Sequence, residues 1–333
     1  MNTRTAPRLG HISRRSAILA GALTLLGVTF TAHAGAYPDK PIKLVVPYTP
    51  GGATDVIARV IGQKLSVSLG QPVVVENKAG AAGNLGAAYV AKEKPDGYTL
   101  LLGALTSHSI NSVLLPSSAG FTMVNSFAPV AVVGRVPLVV AVGPSFKGKT
   151  LAEFISAAKA KPGGMNYGSS GNGSPQHLAA ELFKRQAGVD LVHVPYKGSS
   201  PALNDLMGGQ VDVVFDTLPA TQSFIKGGRL RALATATPQR VLPEVPTASE
   251  AGLSGFEVSS MFGLLAPAGT PAPIINKLST ALKDIMAQQE VKTALTNQGA
   301  TPVYTTPDQA RLQINDEVAR WAKVIKESNI KAD

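Results

Sequence analysis

Cysteine is absent from the 333 residues. That removes thiol nucleophiles, disulfide frameworks and thiolate metal sites. Histidine is scarce: beyond residue 36 only His108, His177 and His193 remain. Three separated imidazoles do not favour a metal site, and no cofactor is expected. Aromatic residues make up 5% of the chain, and acids are outnumbered 21 to 31 by bases. The basic residues stand singly, without an arginine-rich helix or a basic-aromatic alternation. Nucleic-acid binding needs clustered positive charge, so it is not expected. Taking away the four arginines that precede residue 37 lowers the net charge from +10 to +6. A mild positive excess either favours encounter with small anions or simply serves solubility. After the N-terminus no apolar run reaches membrane-spanning length, so no membrane anchor is expected once a leader is removed.

What the N-terminus holds is a leader pattern. Arg4, Arg8, Arg14 and Arg15 precede an uncharged run from Ser16 to Thr31. The run closes on Ala32-His33-Ala34, with a second small-residue site at Ala34-Gly35-Ala36. Residues 1–36 are therefore expected to be a secretory signal peptide. Ser13-Arg14-Arg15 fits the twin-arginine route; ordinary n-region charge on the Sec route is the alternative.

Downstream, strand-like and helical patterns alternate. Ile42 to Val46 reads as a strand ended by Pro47, and Ala53 to Leu69 as a helix with apolar residues at helical spacing. Strands at Val73 to Val75 and Tyr98 to Leu102 flank a helix near Leu85 to Lys92. This β-α-β-α-β order predicts parallel strands with crossover helices. Val130 to Val133 and Leu138 to Val142 read as two strands flanking Gly134-Arg135-Val136-Pro137, a first domain crossing. A second alternating set runs to Ala234. Phe256 to Leu265 is a second extended crossing, followed by two helices expected to return to the first domain. Thr306 followed by Pro307 and Asp308 announces the last of them. The expected architecture is α/β and two-lobed, with a ligand cleft between the lobes. Residues 37–134 and 260–333 form lobe 1 and residues 135–259 form lobe 2.

Loops at the carboxyl ends of parallel strands are the places for ligands. In Tyr48-Thr49-Pro50-Gly51-Gly52 the glycines either let a ligand approach the backbone or serve a turn needing positive φ. Asp55 fits a first-turn structural role. Gly168 to Pro175 holds Ser170, Asn172 and Ser174. Ser174 is a candidate helix cap as well as a candidate ligand group, and the two roles are compatible. Thr106-Ser107-His108-Ser109 reads as a third polar loop. Tyr196-Lys197 and Asp216 follow strands of the second set. Lys197 either pairs with a carboxylate or is solvated, and Asp216 either accepts from a ligand or orients a neighbouring donor. Ser170 with His177 suggests a nucleophile and base, but G-x-S-x-G is missing and so is a strained elbow. H-E-x-x-H, G-x-x-x-x-G-K-[ST] and G-x-G-x-x-G are missing too.

Several blocks taken together resemble the Bug family of extracytoplasmic receptors of tripartite tricarboxylate transporters. They are Val46 to Asp55 (VPYTPGGATD), Val73 to Gly86 (VVVENKAGAAGNLG), Pro95 to Leu100, Tyr167 to Phe183 (YGSSGNGSPQHLAAELF), Val194 to Gly198, Gly209 to Asp212 and Glu244 to Gly252. The resemblance implies a type 2 periplasmic-binding-protein fold, each lobe a mainly parallel sheet flanked by helices, which closes on a small carboxylate. It implies no enzymatic activity, a monomer in the periplasm, and membrane transporter subunits as partners. A periplasmic sensor partner and an exported serine hydrolase are the alternatives. Tyr48, Thr49, Gly51, Gly52, Ser107 and His108 are the expected first wall. Ser170, Asn172, Ser174, His177, Tyr196, Lys197 and Asp216 are the expected second wall. Two departures are Tyr48-Thr49, where relatives usually carry Phe-Pro, and Ala79 to Gly83 (AGAAG) against the commoner PGAGG.

Overall fold

The computed structural model describes residues 1–3 and 37–331. The signal-peptide reading rests on residues 4–36 and lies outside the described residues. No helix among the described residues is long and apolar enough to cross a membrane.

The first strand and helix form where expected, β1 at Ile42–Val46 and α1 at Ala53–Leu69. α1 stops at Gly70, whose left-handed backbone lets its N–H reach the Ser66 carbonyl. β2 (Val73–Asn77), a turn at Ala81–Gly83, α2 (Asn84–Ala91) and β3 (Thr99–Ala104) follow. β1 pairs in parallel with both β2 and β3. The polar segment after β3 is not the expected loop. It is a helix, α3 (Leu105–Leu114), starting directly on the strand end without a side-chain cap, and a short α4 (Pro116–Ala119) follows.

The two strands expected around residues 134–137 are one. β4 runs unbroken from Phe127 to Val142. It pairs antiparallel with β9 (Ser259–Pro267) up to Pro137, and from Leu138 onward with β7 (Val213–Thr217) and β8 (Arg231–Thr235). Between β4 and β7 the chain forms α5 (Leu151–Ala160), β5 (Asn166–Ser169), α6 (Pro175–Ala187), β6 (Val192–Pro195) and α7 (Ser199–Gly208). α8 (Leu218–Lys226) follows β7. The sheet order is β2-β1-β3-β9-β4-β7-β5-β6. Parallel strands occupy the two ends, and the centre is antiparallel, so the sheet is mixed rather than mainly parallel.

Three helices, not two, lie toward the C-terminus: α9 (Ala272–Ala287), α10 (Gln289–Asn297) and α11 (Pro307–Glu327). A two-residue strand β10 (Thr301–Pro302) precedes α11 and pairs with β4. Thr306 and Gln309 cap α11 reciprocally. α11 does not return to the first set of strands alone. Its Ala310 and Ile314 pack in a core with Val45, Leu101 and Leu265. Its Trp321 and Val324 pack in another with Tyr167, Phe183 and Phe215.

Trp321 is fully buried, and its Nε1 donates to Glu317 Oε2 at 2.9 Å. Trp321→Ala should cost about 3–5 kcal/mol through the cavity it leaves. Chemical denaturation followed by circular dichroism measures this, and the midpoint should fall without loss of native helix content.

Candidate functional site

A cavity of about 430 Å³ lies where the strand ends meet the β4–β9 pair. Val136 from β4 and Ser260 and Phe262 from β9 form part of it. Tyr48, Thr54, Ala82, Ser107 and Asn111 come from one side, and Ser170 and residues 172–176 with Thr217 and Pro219 from the other. Among the described residues no charged side chain lines it. Four helices, α1, α3, α6 and α8, contribute residues of their first turns or caps. A helix N-terminus carries roughly half a positive charge and unpaired N–H groups. The cavity is thus polarised for an anion without a guanidinium or ammonium.

On the first side, Asp55 organises the loop after β1. Its carboxylate accepts from Gly51 N–H, Arg59 and Asn77. Burial opposes its charge, but these donors outweigh burial and hold its pKa at about 2. Gly51 takes the positive φ, +87°, while Gly52 at −76° is in an ordinary conformation with open space around it. The expected special glycine is therefore Gly51, and its N–H is already committed to Asp55. Thr49, Gly51 and Gly52 are exposed and do not line the cavity. Tyr48 does. Its hydroxyl is buried and makes no hydrogen bond of normal geometry among the described residues, and burial raises its pKa. Ser107, on the adjoining helix, is close enough to favour the ionised phenol slightly.

His108 lies behind this wall rather than in it. It is fully buried, stacked on Tyr48 with centroids 6.2 Å apart and edge-on to Phe121 at 5.8 Å. Neither ring nitrogen has a hydrogen-bond partner among the described residues. Burial pulls its pKa down to about 4.

On the second side, Ser174 caps α6, accepting from His177 N–H at 3.2 Å, with Pro175 following it. Ser170, Asn172 and Ser174 line the cavity, whereas His177, Tyr196, Lys197 and Asp216 do not. His177 sits beneath the loop: its Nδ1 accepts from Gly173 N–H at 3.1 Å, and its ring stacks on His193 at 3.9 Å. His193 Nε2 lies 2.6 Å from Ser169 Oγ, which also bonds to Gly171. Tyr196 donates to Asp205 at 2.7 Å, and Lys197 is exposed. Asp216 is buried, and burial raises its pKa although Gln176 Nε2 and Thr217 N–H donate to it. Its effect on the cavity passes through Gln176, whose amide it orients.

Sequence reasoning missed Thr54, Ala82, Asn111, Gln176, Thr217 and Ser260 as lining residues. Gln176 and Thr217 stand one residue from His177 and Asp216, the neighbours that the sequence suggests. Asn111 gives no local signal, because the hydroxyl-rich start of α3 reads as a loop. Among the described residues no cluster of three potential metal ligands exists.

Comparison with known proteins is decisive for the family. The model of the tripartite tricarboxylate transporter family receptor matches residues 57–330. The chain belongs to that receptor family. Its members are solute-binding receptors rather than enzymes, which sets the hydrolase alternative aside. Protein BugT of Bordetella pertussis is 40% identical over 323 residues, 96% of this chain and 99% of that protein. Among solved structures, R. palustris Rpa4515 with adipate is 39% identical with a TM-score of 0.75, covering 89% of this chain and 99% of the other. MatC from Rhodopseudomonas palustris with bound malate is 36% identical with a TM-score of 0.71, covering 87% and 100%. As in these receptors, the fold is a curled mixed sheet wrapped by helices.

The buried His108 carries a pH signature. Its folded pKa is about 4 against 6.5 for the free side chain. The unfolded chain therefore binds more protons between those values, and stability rises with pH there. The stabilisation is complete above about pH 6.5 and is lost as pH falls toward 4, by up to about 3 kcal/mol. Urea midpoints at pH 7, 5.5 and 4.5 should fall more steeply for the native chain than for His108→Leu.

Proposed function

We propose that this receptor binds one small carboxylate in the cavity and delivers it to the membrane subunits of a tripartite tricarboxylate-type transporter. The observation that carries the reading is the set of four helix N-termini and neutral polar groups around a cavity that no charged side chain lines among the described residues. Such a site holds an anion through backbone and hydroxyl donors. A bidentate Arg clamp is not part of it. The solved relatives named above contain adipate and malate, which supports the same ligand class here.

In this reading residues 37–134 with 260–333, and residues 135–259, are two lobes that close on the ligand about the β4 and β9 crossings. Ser107 and Tyr48 face the acid from one lobe, and Ser170, Asn172 and Ser174 from the other. Residues 1–36 direct export to the periplasm by the Sec or twin-arginine route, and the mature chain acts as a monomer.

Isothermal titration of the mature chain with a panel of organic acids tests the proposal. One acid should bind at one site per chain without being consumed. Ser107→Ala and Ser170→Ala should each weaken it by about 1.5–3 kcal/mol, the loss of one hydrogen bond to a charged group. Saturating acid should also reduce the radius of gyration in small-angle scattering. Unchanged affinity in Ser170→Ala, with the fold intact, would remove the cavity as the site, and unchanged affinity in Ser107→Ala would remove that residue from it.

A further inference from the structure

Among the described residues, Ala81, Ala82 and Asn329 alone have a positive φ without being glycine. Ala81 and Ala82 are consecutive, at +48° and +54°, in the turn between β2 and α2. An L-residue with a Cβ is strained there, and glycine is not.

The turn cannot relax by itself. Gly83 N–H donates to the Gly80 carbonyl at 2.9 Å. A Cβ on Gly83 would lie 3.0 Å from both the Tyr48 and the His108 rings, so this backbone is pressed against the wall of the cavity. One residue on, buried Asn84 accepts from Asn111 Nδ2 at 2.9 Å, and Asn111 lines the cavity. Moving Ala82 into a relaxed conformation would pull Gly83 off Tyr48 or Asn84 off Asn111. Strain that the surroundings over-determine is the kind that persists at functional sites.

The two alanines differ in one respect. Ala82 lines the cavity and Ala81 does not. We propose that Ala82 is a specificity-determining residue, its methyl group narrowing the cavity beside Tyr48 and selecting against acids that carry a branch or ring at that wall. The proposal rests on the reading of this cavity as the carboxylate site. It accounts for a strained alanine where glycine would be more comfortable: the methyl is the only group that alanine adds.

Wild type, Ala82→Gly, Ala81→Gly and Ser170→Ala should be titrated with succinate, adipate, citrate and benzoate, and melted without added acid. Both glycine variants should melt higher, by about 2 °C, because each removes strain. Ala82→Gly alone should compress the ratio between the weakest and tightest dissociation constants, by about threefold or more. Ala81→Gly should leave that ratio unchanged. A ratio in Ala82→Gly equal to that of Ala81→Gly would overturn the proposal, as would a lower melting temperature. If Ser170→Ala binds every acid as wild type does, or if wild type binds none, the reading of the cavity itself fails. Loss of binding in Ser170→Ala with unchanged selectivity in Ala82→Gly sinks only the role of Ala82.

Discussion

The pairing of β4 with β9 is the constraint on which the cavity depends. β4 is hydrogen-bonded to β9 along its first part and to β7 and β8 along its last five residues. One continuous strand thus belongs to both halves of the sheet. Side chains alternate across a strand, so Val136 and its partner Ser260 face the cavity while their neighbours Arg135 and Ser259 bond to each other elsewhere. Register shifts between Pro129 and Ala131 and between Val132 and Gly134 relieve the ladder and bend the strand. Helix α11, packed on both cores, limits the directions in which such a pair of strands can flex.

The electrostatics follow from that geometry. Parallel strands at each end of the sheet deliver their following helices N-terminus first to the same region, and the converging dipoles replace a cation. Acidic side chains near the cavity are neutralised by their own partners. Asp55 is held by Gly51, Arg59 and Asn77, and Asp216 by Gln176 and Thr217. A free carboxylate facing the cavity would repel an anionic ligand, and burial with donors removes that cost. The same bonds fix the positions of Tyr48, through Asn77 to its carbonyl, and of Gln176.

Elements with strong local signals were legible in the sequence. α1, α5, α6 and α11 carry apolar residues at helical spacing, and Ser174-Pro175 and Thr306-Pro307 mark two of their starts. α3 was not legible. Its hydroxyl-rich start has no capping side chain, and its helicity comes from burial against β9 and α11, which no local pattern reports. The continuity of β4 was hidden by Pro137, which reads as a break. In the fold, Pro137 sits where pairing with β7 and β8 has not yet begun, so its missing N–H costs no ladder bond. In the candidate site, Tyr48, Ser107, Ser170, Asn172 and Ser174 were legible as loop residues, whereas Asn111, Gln176 and Thr217 were not. A sequence says which loop follows a strand, but the phase of the following helix decides whether Gln176 or His177 turns inward.

The histidines show the same distinction between a suggestive residue and a working one. His177 accepts from Gly173 and stacks on His193, which stacks on Tyr167 and meets Ser169. These rings form a column under the loop that carries Ser170, Asn172 and Ser174. His108 is buried behind Tyr48 and stays neutral above acidic pH. An imidazole whose acceptor nitrogen already takes a backbone N–H is unavailable to draw a proton from a nearby serine. Ser170 therefore faces the cavity as a hydroxyl donor rather than an activated nucleophile. The imidazole that suggested catalysis instead holds the loop that presents this donor.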